Sequence, residues 1–236
     1  MKVLVTGGSS GIGKEITIFL LKNGYEVLFT YFKGEQSAEQ ICDEYQLAEK
    51  YNIDFTQSEQ IESFLNKVEL FAPEILINNY YHGSFIDTHF HKTESASFER
   101  EFLNNIVPTL QITQKCINIF RKKKFGRIIN ILSSSLRQTA MGTSVYNANK
   151  AYILQMSKHW AAENVKFGIT CNSISPAFVL TDFHNEMHLA QKEIIMNSYP
   201  LKNALNGTDI ASFVGLCING GIHFNGNHIF LDASNS

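Results

Sequence analysis

The sequence predicts an α/β fold, in which a parallel, doubly wound sheet carries helices on both of its faces. Short apolar runs rich in β-branched residues alternate along the chain with longer segments of helical periodicity. Such alternation is typical of sheets built from strand–helix–strand units. The first apolar run, from Lys2 to Val5, leads directly into a glycine-rich turn. Because no repeat or linker interrupts the pattern, we expect residues 1–236 to form a single domain.

The composition is that of an ordinary globular protein, with 44% hydrophobic and 18% charged residues. A net charge of -2 and a pI near 6.4 give no reason to expect nucleic acid or a membrane as a partner. The four cysteines are widely spaced, which favours reduced thiols over disulfides. The histidines after Tyr81 have no cysteine or carboxylate at metal-site spacing, so we expect no bound metal. Without a signal peptide or a long apolar run, a cytoplasmic location fits.

The glycine-rich turn spans Thr6 to Gly13, and a helical pattern follows it through about Asn23. A helix N-terminus that opens directly after a strand offers free N–H groups to a phosphate. In this interpretation Gly7 forms the tight turn, Gly11 lets the backbone approach the anion, and Gly13 lets the helix pack closely. The turn therefore predicts a dinucleotide phosphate site.

A second motif lies between Ser133 and Lys150. Tyr146 and Lys150 are four residues apart and share one face of a predicted helix. An opposite charge within roughly 4 to 6 Å lowers the pKa of a tyrosine from its usual value of about 10. Tyr146 is therefore a candidate general acid or base, and the Ser133 hydroxyl can hold a carbonyl oxygen against the phenol. Taken alone, a tyrosine four residues before a lysine is more typical of a solvent-exposed helix face than of a catalytic site.

The two motifs, in this order and about 140 residues apart, resemble the short-chain dehydrogenase/reductase family, and within it the 3-oxoacyl-[acyl-carrier-protein] reductases. The resemblance covers essentially the whole chain. It implies a Rossmann-like strand order and a nicotinamide cofactor that crosses the carboxyl ends of the strands. It also implies four catalytic residues: Asn105, Ser133, Tyr146 and Lys150. Asn105 would relay protons through water to the lysine, and Pro108 suggests a local break in its helix.

The cofactor-binding positions implied by the resemblance are Gly7, Ser9, Ser10, Gly11, Ile12, Gly13, Tyr31, Lys33, Asp54, Asn78, Tyr146, Lys150, Val179 and Thr181. Tyr31 stands where NAD-dependent members carry an acid, so NADP(H) is favoured over NAD(H). Lys33, with the Thr30 hydroxyl, would receive the 2′-phosphate. Alternatively, Lys33 is a solvated loop lysine, since Ser10 replaces a second basic residue. Asp54 would contact adenine or cap the next helix.

Two segments depart from the family pattern or extend it. Residues 78–81 read Asn-Asn-Tyr-Tyr, where the family has Asn-Asn-Ala-Gly, so we expect a rearranged loop and a narrower ribose pocket. The segment from about 182 to 200 is rich in large side chains and resembles a substrate lid, with a core-packed surface helix as the alternative.

The resemblance implies an NADP-dependent oxidoreductase that reduces a ketone or 3-oxoacyl group, with Tyr146 as general acid. The alternatives are an NAD-linked alcohol, hydroxysteroid or sugar dehydrogenase, and a noncatalytic dinucleotide-binding protein. The partners would be a small carbonyl or alcohol substrate and, if the basic run at 121–124 is more than a solvated helix end, an acyl carrier protein. The long helices at 95–123 and 145–167 resemble those through which relatives assemble, so we expect a homotetramer or homodimer.

Overall fold

A computed structural model describes residues 1–83, 88–139, 141–177, 179 and 205–233. The described part contains one parallel sheet of seven strands, in the order β3-β2-β1-β4-β5-β6-β7. The strands are β1 (Lys2–Val5), β2 (Glu26–Tyr31), β3 (Ala48–Asn52), β4 (Ile75–Asn78), β5 (Gly126–Ile131), β6 (Ile169–Pro176) and β7 (His228–Leu231). The predicted doubly wound, Rossmann-like sheet is confirmed.

The described helices connect these strands as the alternating pattern predicts. They are α1 (Gly11–Lys22), α2 (Glu35–Glu44), α3 (Ser58–Phe71), α4 (Ser95–Lys123), α5 (Ser144–Asn164) and α6 (Gly207–Asn219), with single 3₁₀ turns at Phe90–Lys92, Ser134–Leu136 and Val165–Phe167. Within the described ranges, no helix is long and apolar enough to cross a membrane. Thr181 and the predicted lid at 182–200 lie outside the described residues.

The sheet separates two hydrophobic cores, because alternate residues of each strand point to opposite faces. In β1, Val3 and Val5 belong to the core beneath α1, α2 and α6, whereas Leu4 belongs to the core beneath α3, α4 and α5. All three side chains are fully buried. Because the strands are parallel, the carboxyl ends of the central strands lie together at one end of the sheet. The predicted site residues lie at this end.

Four local predictions are wrong. The sequence pattern predicts a surface helix over residues 36–48 and a strand from Glu49 to Asp54, whereas α2 ends at Glu44 and β3 ends at Asn52. The Thr-x-x-Glu sequence from Thr56 to Glu59 predicts a capping box at the start of α3. It does not form, since α3 begins at Ser58 and the Thr56 hydroxyl donates to Oδ1 of Asp54 at 2.8 Å. The predicted break at Pro108 is also absent, because α4 continues through this residue. Proline removes one donor, and the flanking turns keep the helix continuous.

Candidate active site

The glycine-rich turn is held against the sheet by strand β2. The Gly7 N–H donates to Oγ1 of Thr30 at 2.8 Å, and the Gly8 N–H donates to the Thr30 carbonyl at 2.9 Å. Gly7 has a φ of 67°, a conformation that favours glycine. A Cβ on Gly13 would collide with the Gly7 carbonyl oxygen, so only glycine allows the helix to approach the turn this closely.

The start of α1 is suited to an anion. Its N-cap, Ser10, makes no side-chain capping hydrogen bond, and the first turn contains no acidic residue. The first N–H groups of the helix therefore stay available to an external acceptor, at the positive end of the helix dipole. Ser9 is buried and Ile12 packs on the core, so both support the turn from behind. The residues present fit the pyrophosphate of a dinucleotide.

Two asparagines at the end of β4 hold this edge of the sheet together. Asn79, which the sequence did not single out, donates through Nδ2 to the carbonyls of Thr6 at 3.1 Å and Gly7 at 3.0 Å. The predicted cofactor residue Asn78 lies in the interior and donates to Thr113 at 3.0 Å and Asn130 at 2.8 Å. Asn78 therefore joins β4 to α4 and β5, and Asn79 fastens the glycine turn.

The residues at the end of β2 make contacts within the fold. The Thr30 hydroxyl, which we predict to help receive the 2′-phosphate, is buried and accepts the Gly7 N–H. Lys33 is exposed, and the Tyr31 hydroxyl lies 3.5 Å from Oε1 of Glu35. Asp54 uses one carboxylate oxygen within its own turn, where it accepts the Thr56 N–H at 3.0 Å.

The structure brings Ser133, Tyr146 and Lys150 together. Ser133 follows β5, and the other two side chains lie one turn apart on α5, both buried. Nζ of Lys150 donates to the Ile131 carbonyl at 3.0 Å and lies 5.7 Å from the centroid of the Tyr146 ring. A hydroxyl, a phenol and an ammonium therefore converge at the carboxyl end of β5.

The predicted direction of the Tyr146 pKa shift is wrong. Burial raises the pKa of Tyr146 to about 12, and the hydrogen bond with Ser133 opposes this only in part. Burial also lowers the pKa of Lys150 to about 8. Burial therefore outweighs any effect of the nearby lysine, whose nitrogen donates to the Ile131 carbonyl. In this state Tyr146 is a neutral phenol at physiological pH.

Ser133 is oriented by a network that sequence reasoning missed. Its Oγ lies 2.7 Å from Oγ of Ser135, which in turn lies 2.6 Å from Oδ1 of Asn147. Asn147 is itself held by Thr143, to whose hydroxyl its Nδ2 donates at 3.0 Å. These contacts link the turn after β5 to the first turn of α5. They fix the position of the Ser133 hydroxyl relative to Tyr146.

Asn105 contacts the loop after β4. Its Oδ1 accepts the His82 N–H at 2.6 Å, and its Nδ2 donates to the His82 carbonyl at 3.0 Å. The Nδ2 also lies 3.1 Å from Oε2 of Glu101. The Asn105 carbonyl accepts the Thr109 hydroxyl at 2.7 Å. It lies inside the continuous helix α4, where carbonyls accept the N–H four residues on, whereas Pro108 has no N–H to donate to the Asn104 carbonyl.

The two tyrosines of the unusual loop lie in different environments. Tyr80 packs on Phe55, with ring centroids 4.5 Å apart. The Tyr81 ring lies edge-on to Tyr146 at 4.9 Å, and Nζ of Lys150 is 5.1 Å from its centroid. Neither tyrosine has a positive φ, and in the part of the loop that the structure describes Gly83 has a φ of 106°. Tyr80 and Tyr81 therefore do not need the left-handed conformation that favours glycine.

The family model described as short chain dehydrogenase matches residues 1–192. The chain belongs to the short-chain dehydrogenase/reductase family. This member is 34% identical to an acetoacetyl-CoA reductase of Shinella zoogloeoides over 82% of this chain and 78% of the relative. It is 27% identical to the 3-oxoacyl-[acyl-carrier-protein] reductase FabG of Staphylococcus epidermidis over 89% and 88% of the two chains.

Solved structures support the same assignment. The structure described as "ElxO with NADP Bound" has a TM-score of 0.87 and 26% identity, and the match covers 99% of this chain and 98% of that one. As a member of the short-chain dehydrogenase/reductase family, with reductases among its relatives, the protein is an oxidoreductase.

Proposed function

We propose that this enzyme reduces a ketone or a 3-oxoacyl group to an alcohol with NADPH, and that Tyr146 is the general acid. The observation that carries the proposal is the convergence of Ser133, Tyr146 and Lys150 beside a turn that fits a dinucleotide. The relatives support it: two are named as reductases of 3-oxoacyl thioesters, and the solved relative ElxO has NADP bound.

The nicotinamide supplies the hydride when it is bound. Tyr146, protonated at neutral pH because its pKa is about 12, donates its proton to the carbonyl oxygen of the substrate. The Ser133 hydroxyl, positioned by Ser135, orients that oxygen. Lys150 holds the ribose hydroxyls and returns a proton to Tyr146. Water associated with Asn105 replenishes the proton of the lysine.

The residues that would hold the cofactor are distributed along the open edge of the sheet. The turn from Gly7 to Gly13 takes the pyrophosphate on the N–H groups of α1. Tyr31 would border the adenosine ribose, and Asp54 would contact the adenine. Val179, which is buried, would contribute to the nicotinamide end, and the family resemblance implies the same role for Thr181, which lies outside the described residues.

We also propose that an acyl carrier protein is a partner, which would deliver a 3-oxoacyl substrate. In the basic run, Arg121 donates to Asn164 at 2.7 Å, Lys122 pairs with Glu69 at 3.7 Å, and Lys123 donates to the Ala72 carbonyl at 2.6 Å. Lys124, which follows α4, is exposed. It is the residue of the run best placed to meet an acidic carrier.

We also propose that the protein is a homotetramer or homodimer. Helices α4 and α5 pack on each other and expose large apolar side chains, with Leu103 at 53% and Tyr152 at 38% exposure. A second copy that covered both helices would remove this surface from water.

The test is loss of reduced-nicotinamide absorbance with ketones, aldehydes and acyl thioesters, each measured with NADPH and NADH. We expect turnover with 3-oxoacyl thioesters and faster reaction with NADPH. Turnover confined to NADH with hydroxysteroids or sugars would instead support the NAD-linked alternative. Tight dinucleotide binding with no turnover across the panel would overturn the proposed activity and favour a binding protein.

Separate substitutions of the two tyrosines test the narrowed pocket. Tyr81→Ala should strengthen NADPH binding, because the ring lies against both Lys150 and Tyr146. Tyr80→Ala should instead lower the free energy of unfolding by about 2 kcal/mol, because it leaves a gap beside Phe55. Fluorescence titration and urea unfolding distinguish the two effects. Loss of turnover in Tyr81→Ala at unchanged cofactor affinity would show that this ring belongs to the substrate site.

A further inference from the structure

A lysine in the first helix lies close to the position where the family's second basic residue is replaced by Ser10. The Lys14 N–H donates to the Ser10 carbonyl at 3.0 Å, which is the bond of one helical turn. Residues four apart share a helix face. The flexible side chain of Lys14 therefore starts one turn behind Ser10 and extends along the same side of α1.

The Lys14 side chain is directed towards the cofactor turn by a serine of α2. Its Nζ donates to Oγ of Ser37 at 3.1 Å, and the Ser37 hydroxyl donates to the Ser9 carbonyl at 2.8 Å. Ser9 belongs to the phosphate turn, and Ser37 lies in the first turn of α2, which directly follows β2. The ammonium is thus held between the two segments that flank the adenosine ribose in a Rossmann-like site.

The charge of Lys14 is available to an anion. Its partner is a neutral hydroxyl, and in the described part of the chain it forms no ion pair, unlike Lys50, which pairs with Glu39 at 3.1 Å. The Thr30 hydroxyl is buried and accepts the Gly7 N–H, whereas the Lys14 ammonium bonds only a neutral hydroxyl among the contacts described. Lys14 and Ser37 together therefore present one ammonium and one hydroxyl beside Ser9.

We propose that Lys14, positioned by Ser37, binds the 2′-phosphate of NADPH and determines the cofactor preference. This inference rests on the NADPH preference proposed above. Glu35, whose carboxylate lies 3.5 Å from the Tyr31 hydroxyl, is an acidic residue in the same first turn of α2 as Ser37. A phosphomonoester carries about two negative charges at neutral pH, so it gains more from Lys14 than a ribose hydroxyl does.

Binding of two nucleotide fragments to the full chain tests the proposal without turnover. Calorimetry with adenosine 2′,5′-bisphosphate and with 5′-AMP isolates the contribution of the 2′-phosphate. Lys14→Met should lower the affinity for the bisphosphate about 10- to 100-fold, as expected for loss of a charged hydrogen bond. The affinity for 5′-AMP should not change. Ser37→Ala should produce a smaller loss, and Lys14→Arg should keep the preference. Lys22→Met, in the last turn of the same helix, is the matched control and should bind both fragments normally.

The outcomes distinguish failure of the proposed role of Lys14 from failure of the proposed NADPH preference. If the unchanged protein binds both fragments equally, the NADPH preference fails, and the role of Lys14 fails with it. If the unchanged protein prefers the bisphosphate, and Lys14→Met keeps that preference while Lys33→Ala loses it, Lys33 is the phosphate ligand and only this inference is overturned. Thermal unfolding of each variant shows whether a loss of binding reflects a loss of folding, and retained binding in Lys14→Arg supports a direct charge contact.

Discussion

A Tyr146→Phe enzyme is expected to lose turnover by about 10²- to 10⁴-fold while it binds NADPH normally, because the change removes only the donated proton. That loss corresponds to roughly 3 to 5 kcal/mol of transition-state stabilisation. The ring stays in place, since it is buried and packs edge-on against Tyr81 at 4.9 Å. Steady-state turnover on one active ketone and fluorescence titration of NADPH measure the two quantities.

Tyr152 is the matched control for this experiment. It lies on the same helix but is 38% exposed and packs on Phe102 with ring centroids 5.3 Å apart. Tyr152→Phe should therefore keep both turnover and affinity. Ser133→Ala should lower turnover with little effect on NADPH affinity, because its hydroxyl orients the substrate oxygen. Near-normal turnover in Tyr146→Phe would rule out the proposed mechanism.

The architecture could be predicted because its signals are local. Alternating strands and amphipathic helices leave a periodic pattern, and α4 begins and ends where the pattern places it, at residues 95 and 123. The end of α2 could not be predicted in this way. Leu47 looks like part of an apolar helix face, yet it is 47% exposed in the turn before β3. An apolar residue that stays on the surface misleads any argument from periodicity.

The candidate site could be predicted only where its residues are close in sequence or follow a family motif. The Tyr146 and Lys150 pair is one helical turn, and Ser133 lies at the end of the adjacent strand. By contrast, the contact of Asn79 with Thr6 joins residues 73 positions apart, and no local pattern marks it. The pKa of Tyr146 illustrates the same limit. The spacing of Tyr146 and Lys150 indicates that a cation is near the phenol. The pKa of Tyr146 is nevertheless raised, because its largest determinant is burial, which depends on the whole fold.

Lys150→Met should make the protein more stable at neutral pH while it abolishes turnover and weakens NADPH binding. Burial lowers the pKa of Lys150 from 10.5 to about 8, so the folded state binds a proton less readily than the unfolded state. Burying the charged ammonium therefore destabilises the folded state. This destabilisation applies in full below about pH 8 and is lost as the pH rises towards 10.5. Methionine is of similar length and carries no charge. The lost donor to the Ile131 carbonyl offsets part of the gain.

We expect a net gain of about 2 kcal/mol in the free energy of unfolding near pH 7, which shrinks steadily as the medium becomes alkaline. Urea unfolding of both proteins across this range measures the gain, and NADPH titration measures the accompanying loss of affinity. Lys158→Met, at an exposed position of the same helix, should show no such pH-dependent gain. A Lys150→Met protein that is less stable at every pH would mean that the ammonium stabilises the fold. In that case the contacts of Lys150 with the Ile131 carbonyl and the Tyr81 ring would outweigh its desolvation.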